Sequence, residues 1–129
     1  GAAMMVRRDV LQQVGPMTEV YFLFYEEFDW SARMHHLGYK LWYEPAAEAY
    51  HKESMTAKRG MPQREFYLSR ARMIYARRNL LGIERFLSCM YILSIAAPKK
   101  AVTYLLNKKQ TLAGAVFRGT FSGLISKKQ

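Results

Sequence analysis

The last third of the chain consists of apolar stretches interrupted by lysines, a pattern that limits it to short helices. Residues 86–97 read FLSCMYILSIAA, and Pro98 and Lys99-Lys100 follow them. As a helix, such a stretch would span only about 18 Å, whereas the hydrocarbon core of a bilayer is roughly 30 Å thick. It is therefore too short to be a transmembrane helix. AVTYLL and TLAGAVFRGTFSGLI come next, each bounded by lysine pairs.

The net charge of +10 is distributed unevenly along the chain. Residues 1–53 contain eight acidic residues and five Lys or Arg, a net charge of −3. Residues 54–129 contain fifteen Lys or Arg but only Glu65 and Glu84 as acids, a net charge of +13. Such an excess attracts an anionic partner, which could be phospholipid, a diphosphate-linked substrate or nucleic acid. A solvated basic surface would have the same composition.

The lysine-bounded stretches contain no acidic residue after Glu84, which is typical of helices that lie in the headgroup region of an anionic membrane. The alternative is that their apolar faces pack against another part of the protein. We predict an anionic membrane surface as a partner. Nucleic acid is not expected, because the lysines flank apolar helices and no reader motif is present. An apolar surface left exposed would also favour homo-oligomers.

The size and cysteine content of the chain narrow its class. With 129 residues, half of them hydrophobic, it can form one modest core. Cys89 is the single cysteine, which excludes an internal disulfide and fits a reducing cytoplasm. We therefore predict a cytoplasmic protein, attached peripherally to the inner face of the plasma membrane.

Residues 22–51, FLFYEEFDWSARMHHLGYKLWYEPAAEAYH, place three carboxylates among aromatic and aliphatic side chains. Glu26, Glu27 and Asp29 begin a predicted helix that ends near residue 37, with Gly38 as its stop. Negative charge at a helix N-terminus is favoured by the helix dipole, so a capped amphipathic helix is a sufficient explanation.

Helical geometry distinguishes the three carboxylates from one another. Glu27 falls with Trp30, Met34 and Leu37 in one sector of about 80°, at the edge of an apolar stripe. Partial burial favours the neutral form of a carboxyl group, which suits proton transfer. Glu27 is therefore the candidate general base. Asp29 and Arg33 are four residues apart, and we predict a structural ion pair between them.

The spacing of Glu27 and Asp29 also imitates the acidic-x-acidic motif of metal sites. Residues two apart on a helix point about 200° away from each other, so these two side chains cannot chelate one ion there. The segment is therefore not predicted to bind a metal.

Three segments in order carry a family resemblance: GAAMMVRRDVLQQVG, YEEFDWSARMHHLGYKLWYEPAAEAYHKES and YARRN. Over roughly residues 1–80 the chain resembles the acceptor-side half of bacterial family 2 glycosyltransferases of the rhamnosyltransferase type. The resemblance implies an α/β GT-A fold, in which short strands precede a helical tail. It also implies inverting transfer of a sugar from a nucleotide-sugar donor to a glycan or lipid-linked acceptor, in surface polysaccharide synthesis.

The resemblance assigns roles to individual residues. Glu27, the second acidic residue of the motif, would deprotonate the acceptor hydroxyl, although many members have Asp at this position. Glu26, Asp29 and Arg33 complete the motif. His51 matches a histidine that lies near the nucleotide diphosphate or its metal in some relatives, and Arg77 or Arg78 would contact a donor or acceptor phosphate.

The same resemblance implies a cofactor that this chain does not hold by itself. Members bind Mg²⁺ or Mn²⁺ through a D-x-D segment on an N-terminal nucleotide-binding half, and nothing in this sequence matches that half. None of the eight glycines forms a phosphate-binding loop. We therefore expect the chain to be a fragment that does not turn over sugar nucleotide alone.

The remaining predictions concern local structure. We predict helices over residues 7–14 and from residue 63 onward, strands over 39–43 and 47–51, and a loop over 53–62. Residues 1–62 would form the acceptor-side part and residues 63–129 a basic helical extension. Trp30 and Trp42 could stack on a sugar, although each would also suit a core. The competing hypothesis is a non-enzymatic basic helical module that binds an anionic membrane or, as the weaker version, nucleic acid.

Overall fold

The computed structural model describes residues 3–50, 58 and 60–126. Within these ranges the chain forms six α-helices and one π-helical turn. They are α1 (Arg8–Val14), α2 (Glu26–His36), α3 (Pro62–Asn79), α4 (Gly82–Tyr91), the π turn (Ile92–Ala96), α5 (Ala97–Leu106) and α6 (Gln110–Ile125). The helices predicted over 7–14, 26–37 and from residue 63 onward are confirmed.

The first two helices form a small core of their own. Val10 and Val14 of α1 pack against Trp30 and Met34 of α2, one turn apart on each helix. Gly15 ends α1 with a φ of 74°, a left-handed value that glycine adopts without a Cβ penalty. This core holds α1 against α2.

Helix α3 is the central element, because both the first part of the chain and α6 pack on it. Tyr21 is fully buried against Ala71 and Ile74 of α3. On another side, α6 approaches so closely that a Cβ added to Gly119 would lie 2.2 Å from the Phe66 carbonyl oxygen. Small residues at a four-residue spacing allow this approach, since they leave room for backbone atoms.

Pro98 does not end the helix in which it lies. The chain stays helical from α4 through the π turn into α5. A proline ring clashes with the carbonyl four residues earlier, and a π-helical turn is one of the ways in which a helix accommodates such a break. Pro98 therefore lies in the first turn of α5, where its missing N–H costs least.

The predicted α/β fold is wrong: the described residues contain no strand and are helix-rich. Residues 39–43 alternate in the way of a strand, yet they lie at the surface without regular structure, as do residues 47–50. A strand satisfies its backbone groups only through a neighbour, and the part of the chain that the structure describes supplies no second strand beside these residues. The short strands and sheet of a GT-A fold are therefore not formed here.

Within the described ranges, no helix is both long enough and apolar enough to cross a membrane.

Candidate functional site

The carboxylate of Asp29 is the most completely buried acidic group of the acidic turn, which we define as residues 26–29 at the start of α2. Only 1% of Asp29 is exposed. Its Oδ1 accepts hydrogen bonds from Tyr21 Oη at 2.9 Å, Asn79 Nδ2 at 2.8 Å and Arg78 Nε at 3.2 Å. The Arg33 guanidinium faces the other oxygen, with Nε 3.3 Å from Oδ2. A buried charge needs this degree of pairing.

The predicted pair of Asp29 and Arg33 is thus present, but it is one part of a buried network. Arg33 also donates to the Val14 and Pro16 carbonyl oxygens at 2.9 and 2.7 Å. These two bonds cap the end of α1. Arg33 therefore ties α1, α2 and the Asp29 carboxylate together.

Tyr21 has the most strongly altered acidity in this network. Burial raises the pKa of the Tyr21 hydroxyl well above its ordinary value, and the negative charge of Asp29 and the hydrogen bond to it raise it further. The phenol therefore stays protonated and acts as a donor. Burial and the charge of Asp29 also raise the pKa of Tyr75.

The chain enters the acidic turn through a strained backbone. Phe22, Phe24 and Tyr25 all have left-handed φ values, of 65°, 66° and 70°. Residues other than glycine adopt this region at a cost of about 1 to 3 kcal/mol each, and such strain is concentrated at functional sites. Arg70 holds the start of this segment, since its Nη1 donates to the Val20 carbonyl oxygen at 2.7 Å.

Glu26 and Glu27 occupy the first two positions of α2, directly after the strained segment. Both side chains are half-buried, and the Oε2 atom of Glu26 is buried without a hydrogen-bond partner. A buried carboxylate oxygen without a partner is costly and calls for an explanation. Asp29 Oδ2 also lacks a hydrogen-bond partner, but it forms an ion pair with Arg33, whose Nε lies 3.3 Å away. Asp29 is only 1% exposed, whereas Glu26 and Glu27 are half-buried, so these two are the more accessible carboxylates of the acidic turn.

An open cleft of about 690 Å³ adjoins the acidic turn through Tyr25. Tyr25 and Tyr75, whose ring centroids are 5.5 Å apart, form one side of it. Leu87 and Tyr91 of α4 form the other side, and Arg72 is its charged residue. Tyrosine side chains combine a flat apolar face with a hydroxyl group, which suits a carbohydrate or another amphiphilic ligand.

No protein-family model, curated protein or solved structure matches this chain. The role of the acidic turn and the cleft must therefore be inferred from their own geometry and chemistry.

The two tryptophans of the sequence prediction lie in opposite environments. Trp30 is buried in the core between α1 and α2, and its indole N–H donates to the Gly15 carbonyl oxygen at 2.8 Å. This leaves little of its face for a sugar. Trp42 is 86% exposed in the irregular segment after α2. Its role as an acceptor contact stays a prediction.

The two arginines predicted to contact phosphate bind other residues of the fold. Arg77 donates to the Gly123 and Ser126 carbonyl oxygens at 2.9 and 2.8 Å, which satisfies the end of α6. Arg78 lies in the Asp29 network. His51 lies outside the described residues. The structure therefore brings Arg78, but not Arg77, to the acidic turn.

The acidic turn does not have the composition of a divalent-metal site. Every atom that contacts Asp29 Oδ1 is a hydrogen-bond donor, and a cation there would face the Arg78 guanidinium. In the part of the chain that the structure describes, no three His, Cys, Asp or Glu side chains are grouped to hold a metal ion. The Mg²⁺ or Mn²⁺ that the resemblance implies, on an N-terminal nucleotide-binding half, stays a prediction.

Sequence reasoning missed a second buried acid, Glu65 of α3. Its Oε2 lies 2.5 Å from Lys100 Nζ of α5, and Arg64 Nη1 lies 3.6 Å from Oε1. Glu65 also raises the pKa of Tyr104, although burial is the larger cause. Because Glu65 is one of two acids in a strongly basic stretch, its isolation could have indicated a paired, structural role. It fixes α5 to the start of α3.

Proposed function

We propose that this chain carries the general base of an inverting glycosyltransferase, with Glu27 as that base. The observation that supports this proposal is the construction of the acidic turn. A strained left-handed segment and a buried carboxylate hold the first turn of α2 in place, beside a cleft lined by tyrosines. Backbone strain of this kind is concentrated at functional sites, where a supported backbone positions a reacting group.

The proposed reaction has one proton transfer on this chain. The Glu27 carboxylate accepts the proton of an acceptor hydroxyl while that oxygen forms a bond to the anomeric carbon of the donor sugar. The bond between the anomeric carbon and the nucleoside diphosphate breaks at the same time, and the diphosphate leaves with its electron pair. General-base catalysis of this kind contributes about 10²- to 10⁴-fold to the rate.

The acceptor would bind in the cleft between Tyr25, Tyr75 and Tyr91. The flat faces of tyrosines suit the apolar face of a sugar ring, and Arg72 suits a phosphate of a lipid-linked acceptor. Tyr25 lines this cleft and directly precedes Glu26, the first residue of the acidic turn. The nucleotide-sugar donor would bind to groups other than the described carboxylates.

The test compares Glu27→Gln with wild type in the complete gene product that carries these residues. Nucleotide release is measured with a panel of sugar nucleotides and lipid-linked or glycan acceptors, and donor affinity is measured separately. We expect Glu27→Gln to lower transfer by about 10²-fold or more and to leave donor affinity unchanged. Glu19→Gln is the matched control, because Glu19 is an exposed carboxylate outside the acidic turn.

The rates of the variants identify the base. If Glu27→Gln transfers sugar at the rate of Glu19→Gln, Glu27 is not the base. If Glu26→Gln has the larger loss, the base is the neighbouring carboxylate with the unpaired oxygen. If wild type releases no nucleotide with any donor and acceptor, the proposed activity is wrong.

A further inference from the structure

Helix α5 and the turn that follows it carry a group of exposed side chains, which we call the basic tip. It consists of Lys99, Val102, Leu105 and Leu106 of α5 and of Lys108 and Lys109 in the turn. All six are exposed, Leu105 by 51% and Leu106 by 80%. Large apolar side chains at a surface are usual when scattered singly, but here they are grouped and flanked by lysines.

Helical geometry places these residues on one face. Lys99, Val102 and Leu106 follow one another at intervals of three and four residues, and Leu105 lies beside them. Ala97 and Ala101 form the opposite, buried face of α5. Lys100 belongs to the buried side as well, since it pairs with Glu65. The three lysines of the basic tip are thus separated from the one lysine of α5 that has a structural partner.

The backbone of the basic tip is already satisfied. Lys108 N donates to the Leu105 carbonyl oxygen at 2.9 Å, and Lys109 N donates to the Tyr104 carbonyl oxygen at 2.8 Å. Lys108 adopts a left-handed φ of 57° to close this turn. What the tip offers to a partner is therefore its side chains: three apolar groups with positive charge on both flanks.

We propose that the basic tip docks on the headgroup region of an anionic lipid surface. Such a surface supplies both things that the tip lacks, an apolar medium for Leu105 and Leu106 and negative charge for the lysines. A second copy of the chain would bring two sets of lysines together, which like-charge repulsion opposes. Nucleic acid would pair with the lysines but would leave the leucines in water. This inference is independent of the proposed catalytic function.

The first test measures binding to phosphatidylglycerol-containing vesicles and to pure phosphatidylcholine vesicles by co-sedimentation. We expect binding to the anionic vesicles that weakens as salt is raised, because exposed charges are screened. Leu105→Glu/Leu106→Glu should lower the partition coefficient at least about tenfold. The matched control is Leu37→Glu/Leu41→Glu, which adds the same two charges at leucines that are 55% and 53% exposed.

A second pair of variants tests the lysines. Lys108→Gln/Lys109→Gln should lower binding to anionic vesicles about thirtyfold, which corresponds to about 1 kcal/mol for each lysine near the surface. Arg8→Gln/Lys40→Gln removes two exposed charges from the first part of the chain and should have little effect. Far-ultraviolet circular dichroism confirms that each variant is folded.

Three outcomes would overturn the proposal. The chain could bind neither type of vesicle. The leucine and lysine variants could bind as well as their matched controls, which would mean that net charge alone governs attachment. Duplex DNA at matched salt could bind while anionic vesicles do not, which would make nucleic acid the partner of the basic tip.

Discussion

Replacement of Gly119 by alanine should separate α6 from α3, although alanine is the better helix former. A Cβ at this position would lie 2.2 Å from the Phe66 carbonyl oxygen and 3.0 Å from the Phe66 Cα. Ordinary contacts begin near 3.4 Å, so the helices must move apart by roughly 1 Å. Backbone atoms cannot turn aside as a flexible side chain can.

The magnitude follows from two opposing effects. Forcing an extra methyl group into a close-packed interface costs about 1 to 3 kcal/mol, and a clash with rigid backbone belongs at the upper end. The higher helix propensity of alanine offsets about 1 kcal/mol of this cost. We therefore expect Gly119→Ala to lower the free energy of unfolding by about 2 kcal/mol. Gly123→Ala should behave similarly, because its Cβ would lie 2.5 Å from the Arg70 carbonyl oxygen.

Gly114 provides the matched control within the same helix. A Cβ there meets no atom within 4 Å, so Gly114→Ala should gain about 0.5 to 1 kcal/mol from helix propensity alone. The two alanine variants should then differ by about 3 kcal/mol, or about 10 °C in Tm, measured by thermal and urea denaturation. If Gly119→Ala proves as stable as Gly114→Ala, the close contact between α3 and α6 does not exist.

The other two predictions concern the buried network. Asp29→Asn should lower the free energy of unfolding by about 2 kcal/mol, because it leaves Arg78 and Arg33 beside an uncharged group; both arginines are partly exposed, which moderates the loss. Asp9→Asn, at an exposed ion pair, should cause no measurable change in urea denaturation. Tyr21 has a raised pKa in the folded state, so its contribution to stability is complete below about pH 10 and falls as pH rises above that value. Tyr21→Phe should therefore reduce the alkaline loss of stability; an unchanged slope in denaturation between neutral and alkaline pH would contradict this.

The helices could be predicted because their determinants are local. Trp30 and Met34 recur at the helical interval, acidic residues begin α2, and Gly38 follows its end. The strand prediction for residues 39–43 failed for the opposite reason. Alternation of side chains is local, but a strand exists only where a second strand supplies backbone partners, and that condition is set by the rest of the fold.

The site was predictable only in part. The sequence placed Glu26, Glu27 and Asp29 at the start of a helix, but it interpreted Asp29 as one half of a pair with Arg33. The burial of Asp29 depends on Tyr21, Arg78 and Asn79, and the latter two are about fifty residues away in the chain. No local pattern specifies such a contact. The glycine interval in α6 was a usable pattern that went unnoticed, because small residues four apart predict close helix packing.

Helix α3 contacts both the acidic first part of the chain, residues 1–53, and helix α6 of the basic part that follows. The backbone of Phe66 and Arg70 faces the glycines of α6, whereas the Arg70 guanidinium, Arg78 and Asn79 hold the strained segment and Asp29. The same helix therefore positions the acidic turn and receives the packing of α6. A displacement of α3 by the Gly119 methyl group would reach the Asp29 network through a rigid element, since packed helices transmit strain. The effects of Gly119→Ala and Asp29→Asn on stability should accordingly not be additive, as expected for residues coupled through one backbone.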